Sequence, residues 1–250
     1  MTALLSPGDP APVIVRGPQG PSPWLLVADH AGRAIPRRLG TLGLGPEDLD
    51  RHIAWDIGAG ALAERLGERL GARVVRQAYS RLVIDCNRPL DSPTLVPEVS
   101  DGTVIPANQG LSPDEVRQRV EAIHAPYHAR IAALMDAQAD RPLLVSVHSF
   151  TPRMKGFERP WHVGVLHDHA SDASRRMLEL LRAEPDLVVG DNQPYHLGQH
   201  DHTVPVHAQG RGLDYLELEV RQDLIEGEDG QDRMAAILAP LLRTLTRSSA

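Results

Sequence analysis

The chain carries twelve histidines beside a single cysteine, and its polar residues gather where short apolar runs stop. His30 lies two residues past the run Trp24 to Ala28, and Asp85, Asn87 and Arg88 follow Leu82 to Ile84. His148 follows Leu143 to Val147, and Glu219 stands near the end of Tyr215 to Val220. Two neutral imidazoles and a carboxylate can hold a zinc ion and leave a fourth position for a water whose pKa falls toward neutrality. Glu219 is then available as a general base. A histidine at a strand end is commonly no more than a hydrogen-bonded structural residue, so the pattern matters only if these four runs end in one place.

The elements that would bring them together can be read from apolar spacing. Trp24 to Ala28 is short, wholly apolar and bounded by Pro23 and Asp29, the mark of a strand buried on both faces. Val74-Val75, Leu82 to Ile84, Leu143 to Val147, Val163 to Leu166, Leu187 to Val189 and Tyr215 to Val220 are expected as further strands. The run from Val163 would lead into His167-Asp168-His169. Leu62, Leu66 and Leu70 recur every four residues, and Gly71 follows where a helix end favours positive φ, so a helix is expected over Ala59 to Leu70. Ser112-Pro113-Asp114-Glu115 combines a capping serine, a proline in the first turn and a glutamate three residues on, and it should start a helix that Pro126 kinks. Ser171 should cap another helix through Arg182, and Met234 to Leu245 should form a closing one, with a bend at Pro240. Strands and helices alternate throughout. The expected fold is a three-layer α/β/α sandwich with a mostly parallel, mixed central sheet, made by residues 24–250 as one domain after an exposed N-terminal arm, residues 1–23. In such sheets ligands bind beyond the carboxyl ends of the strands, where the polar residues of this chain collect.

Composition narrows the function. The 250 residues are 42% hydrophobic, enough for a sizeable core, and 33 Asp plus Glu against 26 Lys plus Arg leave a net charge of −7. With no basic block, a phosphate backbone is repelled rather than attracted, so no nucleic-acid partner is expected. One cysteine, Cys86, rules out an internal disulfide, a Cys-x-x-Cys redox pair and a cysteine-rich zinc ribbon, and it fits a cytoplasmic setting. No apolar run is long enough for a membrane span, and the first residues do not read as a signal peptide.

With these residues in view, the chain resembles the N-formylglutamate amidohydrolases, within the wider zinc carboxypeptidase and acylase group. Five short motifs carry the resemblance in order: Ala28-Asp29-His30-Ala31-Gly32 with Ile35-Pro36; Asp50 to Gly58; Ser80 to Pro89; Ser146-Val147-His148-Ser149-Phe150; and Glu217-Leu218-Glu219-Val220-Arg221. The resemblance implies a bound Zn2+ and hydrolysis of the amide that joins an acyl group to glutamate, with N-formyl-L-glutamate from histidine breakdown as substrate. A related N-acyl amino acid, or a non-catalytic relative that binds ligand only, is the alternative. The first metal ligand of the wider group opens a His-x-x-Glu pair, whereas here Arg33 stands three residues after His30. The resemblance therefore assigns the metal to His30, His148 and a carboxylate from elsewhere, Asp56, with His52 and Asp29 as the next candidates. It casts Arg81 and the pair Asn87-Arg88 as the groups that polarise the scissile carbonyl and grip the substrate carboxylate, a use suited to the planar guanidinium fork. A second substrate carboxylate would need another cation, Arg221 or Arg33. The partner expected is a small acylated acidic amino acid, and nothing in the chain specifies an oligomer.

Other patterns read as decoys. His124 and His128 are four apart, but no Glu follows His124 and Pro126 lies between, so they are expected to face solvent rather than to form a His-Glu-x-x-His site. His196, His200, His202 and His207 crowd one loop, which could hold an ion of its own but reads better as a lid. Gly58 to Ala63 spells a dinucleotide fingerprint with no apolar strand leading into it. No Gly-x-Ser-x-Gly elbow occurs, and Cys86 is expected to be a small buried thiol.

Overall fold

A computed structural model describes residues 3–138, 141–168, 171–198 and 201–246. The strands are β1 (Val13–Arg16), β2 (Trp24–Ala28), β3 (Arg73–Gln77), a small hairpin β4–β5 (Val99–Ser100 and Thr103–Val104), β6 (Leu143–Phe150), a second small hairpin β7–β8 (Arg153–Met154 and Phe157–Glu158), β9 (Val163–Leu166), β10 (Val189–Asp191) and β11 (Tyr215–Arg221). The helices are α1 (Pro46–Asp50), α2 (Ala59–Leu70), α3 (Pro113–Arg119), α4 (Ala125–Asp136), α5 (Asp172–Arg182), α6 (Thr203–His207) and α7 (Glu228–Thr246). Seven strands join in the order β1-β3-β2-β6-β11-β9-β10. The central four, β3, β2, β6 and β11, run parallel, while β1 lies antiparallel to β3 and β9 antiparallel to β11.

Helices cover both faces, which completes a three-layer α/β/α sandwich. On one side Leu62, Leu66 and Leu70 of α2, Met177 and Leu181 of α5, and Leu238 and Leu242 of α7 pack on Val145, Val147, Leu216 and Leu218. Each large side chain buried this way contributes about 1.5–3 kcal/mol. On the other side Ile123, Tyr127 and Ile131 meet Leu25, Val27, Leu144 and Tyr215. Side chains alternate along a strand, so Ser146 and His148 of β6 and Glu217 and Glu219 of β11 continue the row begun by Leu144 and Tyr215. The register sets Glu217 opposite Ser146 and Glu219 opposite His148. The second core thus turns polar toward the carboxyl ends of the two middle strands.

The helix signals hold in detail. Ser112 and Glu115 form the reciprocal capping box, Ser171 accepts from the Ser174 amide, and Gly71 closes α2 at φ 63°. Pro126 is accommodated by a π-helical turn over Val120–His124, which widens the backbone just ahead of the ring that cannot donate.

Four expectations need correction. Leu82 to Ile84 is a turn, not a strand; all three side chains are buried in the second core, so the apolar run reports burial rather than pairing. Part of the supposed arm is structured, since β1 pairs with β3 and Leu4 is buried. The strand from Val163 runs against its neighbour, so His167 emerges at the opposite end of the sheet from His148 and bonds Asp191 at 2.8 Å; His169 lies outside the described residues. His124 and His128 do not face solvent: His124 is buried and His128 is half-buried.

Candidate active site

His148 is part of β6, while His30 sits two residues after β2 in a turn that Gly32 makes possible. A Cβ on Gly32 would lie 2.1 Å from the Ala78 carbonyl carbon, so only glycine lets the chain pass this close to the residues after β3. Asp56 is brought in by its backbone, whose N–H donates to the His30 carbonyl at 2.9 Å. The parallel strands β2 and β6 carry both histidines to the same end of the sheet.

The two imidazoles address one carboxylate. His148 Nδ1 lies 2.9 Å and His30 Nδ1 3.4 Å from Asp56 Oδ2, and one ligand atom from each of the three residues lies within 4.8 Å of the others. The far nitrogen of each ring faces another buried acid. His30 Nε2 meets Asp85 Oδ1 at 2.7 Å, and His148 Nε2 stands 3.5 Å from Asp29 Oδ2. That is the arrangement by which outer carboxylates orient metal-binding histidines and raise their basicity. Asp29 is held in turn by the Thr203 hydroxyl at 2.9 Å, and Asp85 by Arg81 Nε and Nη2 at 3.0 and 2.7 Å and by the Asn87 amide at 2.9 Å.

Charge makes the same point. Burial opposes ionisation of Asp29, Asp56 and Asp85, but the facing rings, and for Asp85 first the Arg81 guanidinium, reverse it. Asp29 is taken down to about 2, and the other two lie below the ordinary carboxylate range. Burial disfavours charge on His30 and His148, and for His30 so does Arg81, yet the surrounding acids raise both. The same field favours a cation placed between the rings. His30 Nδ1, His148 Nε2 and Asp29 Oδ2 are buried without a hydrogen-bond partner. Three ionised acids, two imidazoles and one guanidinium therefore suit a divalent ion.

His30, His148, Asp56 and Arg81 line a cavity of about 760 Å³ with Glu217, Glu219, Asn87, Arg88, Asp201, Tyr195 and His196. Glu219 is buried at 6% exposure with Oε2 unpartnered. Burial, partly offset by His148, raises it to about 7, and Glu217 one step back along β11 is raised to about 8. Arg81 lines the cavity while gripping Asp85 and, at 3.4 Å, Asp56 Oδ1. Asn87 turns its side chain to the wall: Oδ1 accepts from the amides of His202 and Thr203, and Nδ2 donates to Asp201. Arg88 donates to its neighbour's carbonyl and stands 3.7 Å from Asp201.

Not every expected residue converges. Arg221 is not among the lining residues and bonds Asp223 through Nε at 2.8 Å. Arg33 lies outside as well, paired with Asp50 and over the Trp55 ring. His52 lines the cavity with Asp101 nearby at 3.4 Å. Cys86 is buried, with its thiol pushed up by burial. The orienting roles of Asp29 and Asp85 were not read from the sequence; the signal was the place of Asp29 next to His30 and of Asp85 four residues after Arg81, inside two of the motifs.

The chain matches the N-formylglutamate amidohydrolase family over residues 22–226. No curated protein matches it. Among solved structures, a gene product of Agrobacterium tumefaciens superposes with a TM-score of 0.93 at 36% identity, covering 98% of each chain. An N-formylglutamate amidohydrolase from Ralstonia eutropha superposes with a TM-score of 0.67 at 20% identity, over 96% of this chain and 100% of that one. At that identity the second likeness speaks for the fold alone.

Proposed function

Because the chain belongs to the N-formylglutamate amidohydrolase family, we propose that it hydrolyses the amide of an N-acyl amino acid, N-formyl-L-glutamate above all, as a step of histidine breakdown in the cytoplasm. The observation that carries this reading is the meeting of His30, His148 and Asp56 at one wall of a cavity that also holds Glu219. Zn2+ is the ion this donor set fits; His30, His148 and Asp56 would hold it, and when bound it would supply a Lewis acid that acidifies water and polarises a carbonyl.

The protein's own groups do the rest. Asp85 and Asp29 hold the rings of His30 and His148 in place. Glu219, raised to about 7, can take a proton near neutral pH. It accepts the proton from water as the oxygen adds to the acyl carbon, and returns it to the nitrogen as the C–N bond breaks. Formate and glutamate result. Arg81, fixed by Asp85 and Asp56, presents its guanidinium to the carbonyl oxygen as charge builds there. Arg88 meets the substrate carboxylate, and Asn87 shapes the wall beside it.

A second reading concerns the amino acid. Arg81 and Arg88 are the arginines among the described lining residues, while Glu217, Glu219 and Asp201 line the same cavity, which suits an amino acid with one carboxylate better than one with two. Assaying the zinc-loaded enzyme with N-formyl-L-glutamate, N-formyl-L-alanine and their N-acetyl counterparts separates the two. N-formyl-L-glutamate should give a kcat/KM at least ~10-fold above the others, about 1.4 kcal/mol of discrimination. A faster alanine derivative overturns the choice of amino acid; hydrolysis of none overturns the activity.

A further inference from the structure

Four histidines that this chemistry does not use, His124, His128, His202 and His207, lie together behind the cavity wall. His124 and His128 meet at the junction of the π-helical turn with α4, while His202 precedes α6 and His207 is its last residue. Ring centroids are 4.4 Å apart for His124 and His128, 5.2 Å for His124 and His202, and 4.6 Å for His128 and His202. One nitrogen from each of these three lies within 4.8 Å of the others. His207 stacks on His128 with ring planes 9° apart.

Hydrogen bonds fix the tautomers. A carbonyl oxygen only accepts, so His124 Nε2 carries the hydrogen that it donates to the Arg88 carbonyl at 3.1 Å. His128 Nε2 likewise donates to the Cys86 carbonyl at 2.8 Å. A neutral ring then keeps its lone pair on Nδ1. Backbone carbonyls that pin the far N–H are a usual support of metal-binding histidines. Burial lowers His124, His128 and His202, the direction that favours an uncharged ring over a charged one.

We propose that His124, His128 and His202 form a second metal site, separate from the His30 centre, for Zn2+ or another divalent transition ion that imidazole favours. His207 Nε2 donates to His128 Nδ1 at 2.9 Å; an arriving ion displaces this hydrogen bond and takes the lone pair. The ion ties α4 to the segment that enters α6, and that segment supplies Pro194, Tyr195, His196, Gly198 and Asp201 to the cavity. Thr203, next to His202, also holds Asp29 behind His148. The site therefore staples one wall of the catalytic cavity to the helix beneath it.

The test is Co2+ titration of the chelator-stripped chain, read as ions per chain by elemental analysis and as visible absorption. The expected count is two for the natural sequence, one for H30Q/H148Q, one for H124Q/H202Q and none for the four-fold variant. Co2+ should also raise the melting temperature of H30Q/H148Q. An H30Q/H148Q chain that folds, by circular dichroism, and binds no ion overturns the proposal. So does an H124Q/H202Q chain that binds as many ions as the natural one. A single ion lost in H124Q/H202Q but kept in H30Q/H148Q supports the second site and overturns the metal at His30. Should H124Q/H202Q fail to fold, His202→Asn alone decides: Co2+ affinity in the H30Q/H148Q background should weaken at least ~10-fold, the scale of metal-site losses, and unchanged affinity overturns the proposal.

Discussion

At the scale of single residues, the proposed mechanism separates groups that react from groups that hold others in place. Glu219→Gln keeps the shape of the side chain but removes its basicity, so kcat should fall by roughly 10²–10⁴-fold with bound zinc unchanged, as checked by steady-state kinetics and elemental analysis. Asp85→Asn acts through His30. It weakens the acceptor on Nε2, and zinc affinity should drop by about 10–100-fold in competition with a chromophoric chelator. Equal affinity would mean that Asp85 serves only Arg81. His30, His148 and Glu219 were legible because each lies at or beside a strand end and inside a short motif. Asp85 was not legible in its orienting role, because it approaches His30 across 55 residues of chain. The inward turn of His124 and His128 was hidden for a similar reason: their partners are backbone carbonyls of the Cys86 and Arg88 loop.

At the scale of elements, helix ends were the most readable feature, since capping is local chemistry. Strand direction was not. Val163 to Leu166 has the composition of a buried parallel strand, yet it enters beside β11 in reverse, and only the route of the preceding connection decides that. The reversal sets Gly164 against Glu219, where a Cβ would stand 1.9 Å from the Gln193 carbonyl oxygen. Gly164→Ala must push this backbone, and with it Pro194 and Tyr195 of the cavity wall. Overpacking of this kind costs about 1–3 kcal/mol. Urea denaturation should show that loss, accompanied by a lower kcat/KM, and a variant of natural stability would mean that the wall yields freely.

At the scale of the whole molecule, several buried acids draw together at one end of the sheet, and a cation at the His30 centre should add to global stability. At a free concentration 100 times its Kd, an ion adds about 2.7 kcal/mol, which in a domain of this size corresponds to roughly 5–10 °C in Tm. Measured in H124Q/H202Q, so that the His30 centre alone contributes, chelation should lower Tm by that amount and added Zn2+ should restore it. No shift would speak against a cation there. The layered architecture was readable from the alternation of strands and helices, whereas the place of β1 in the sheet was not, because its Pro- and Gly-rich flanks look like loop. Both borders of that sheet are short strands, four residues in β1 and three in β10, and each carries a charged residue, Arg16 or Asp191. Long apolar borders invite neighbouring molecules to add strands and grow into aggregates, and brief, charged ones offer them little template.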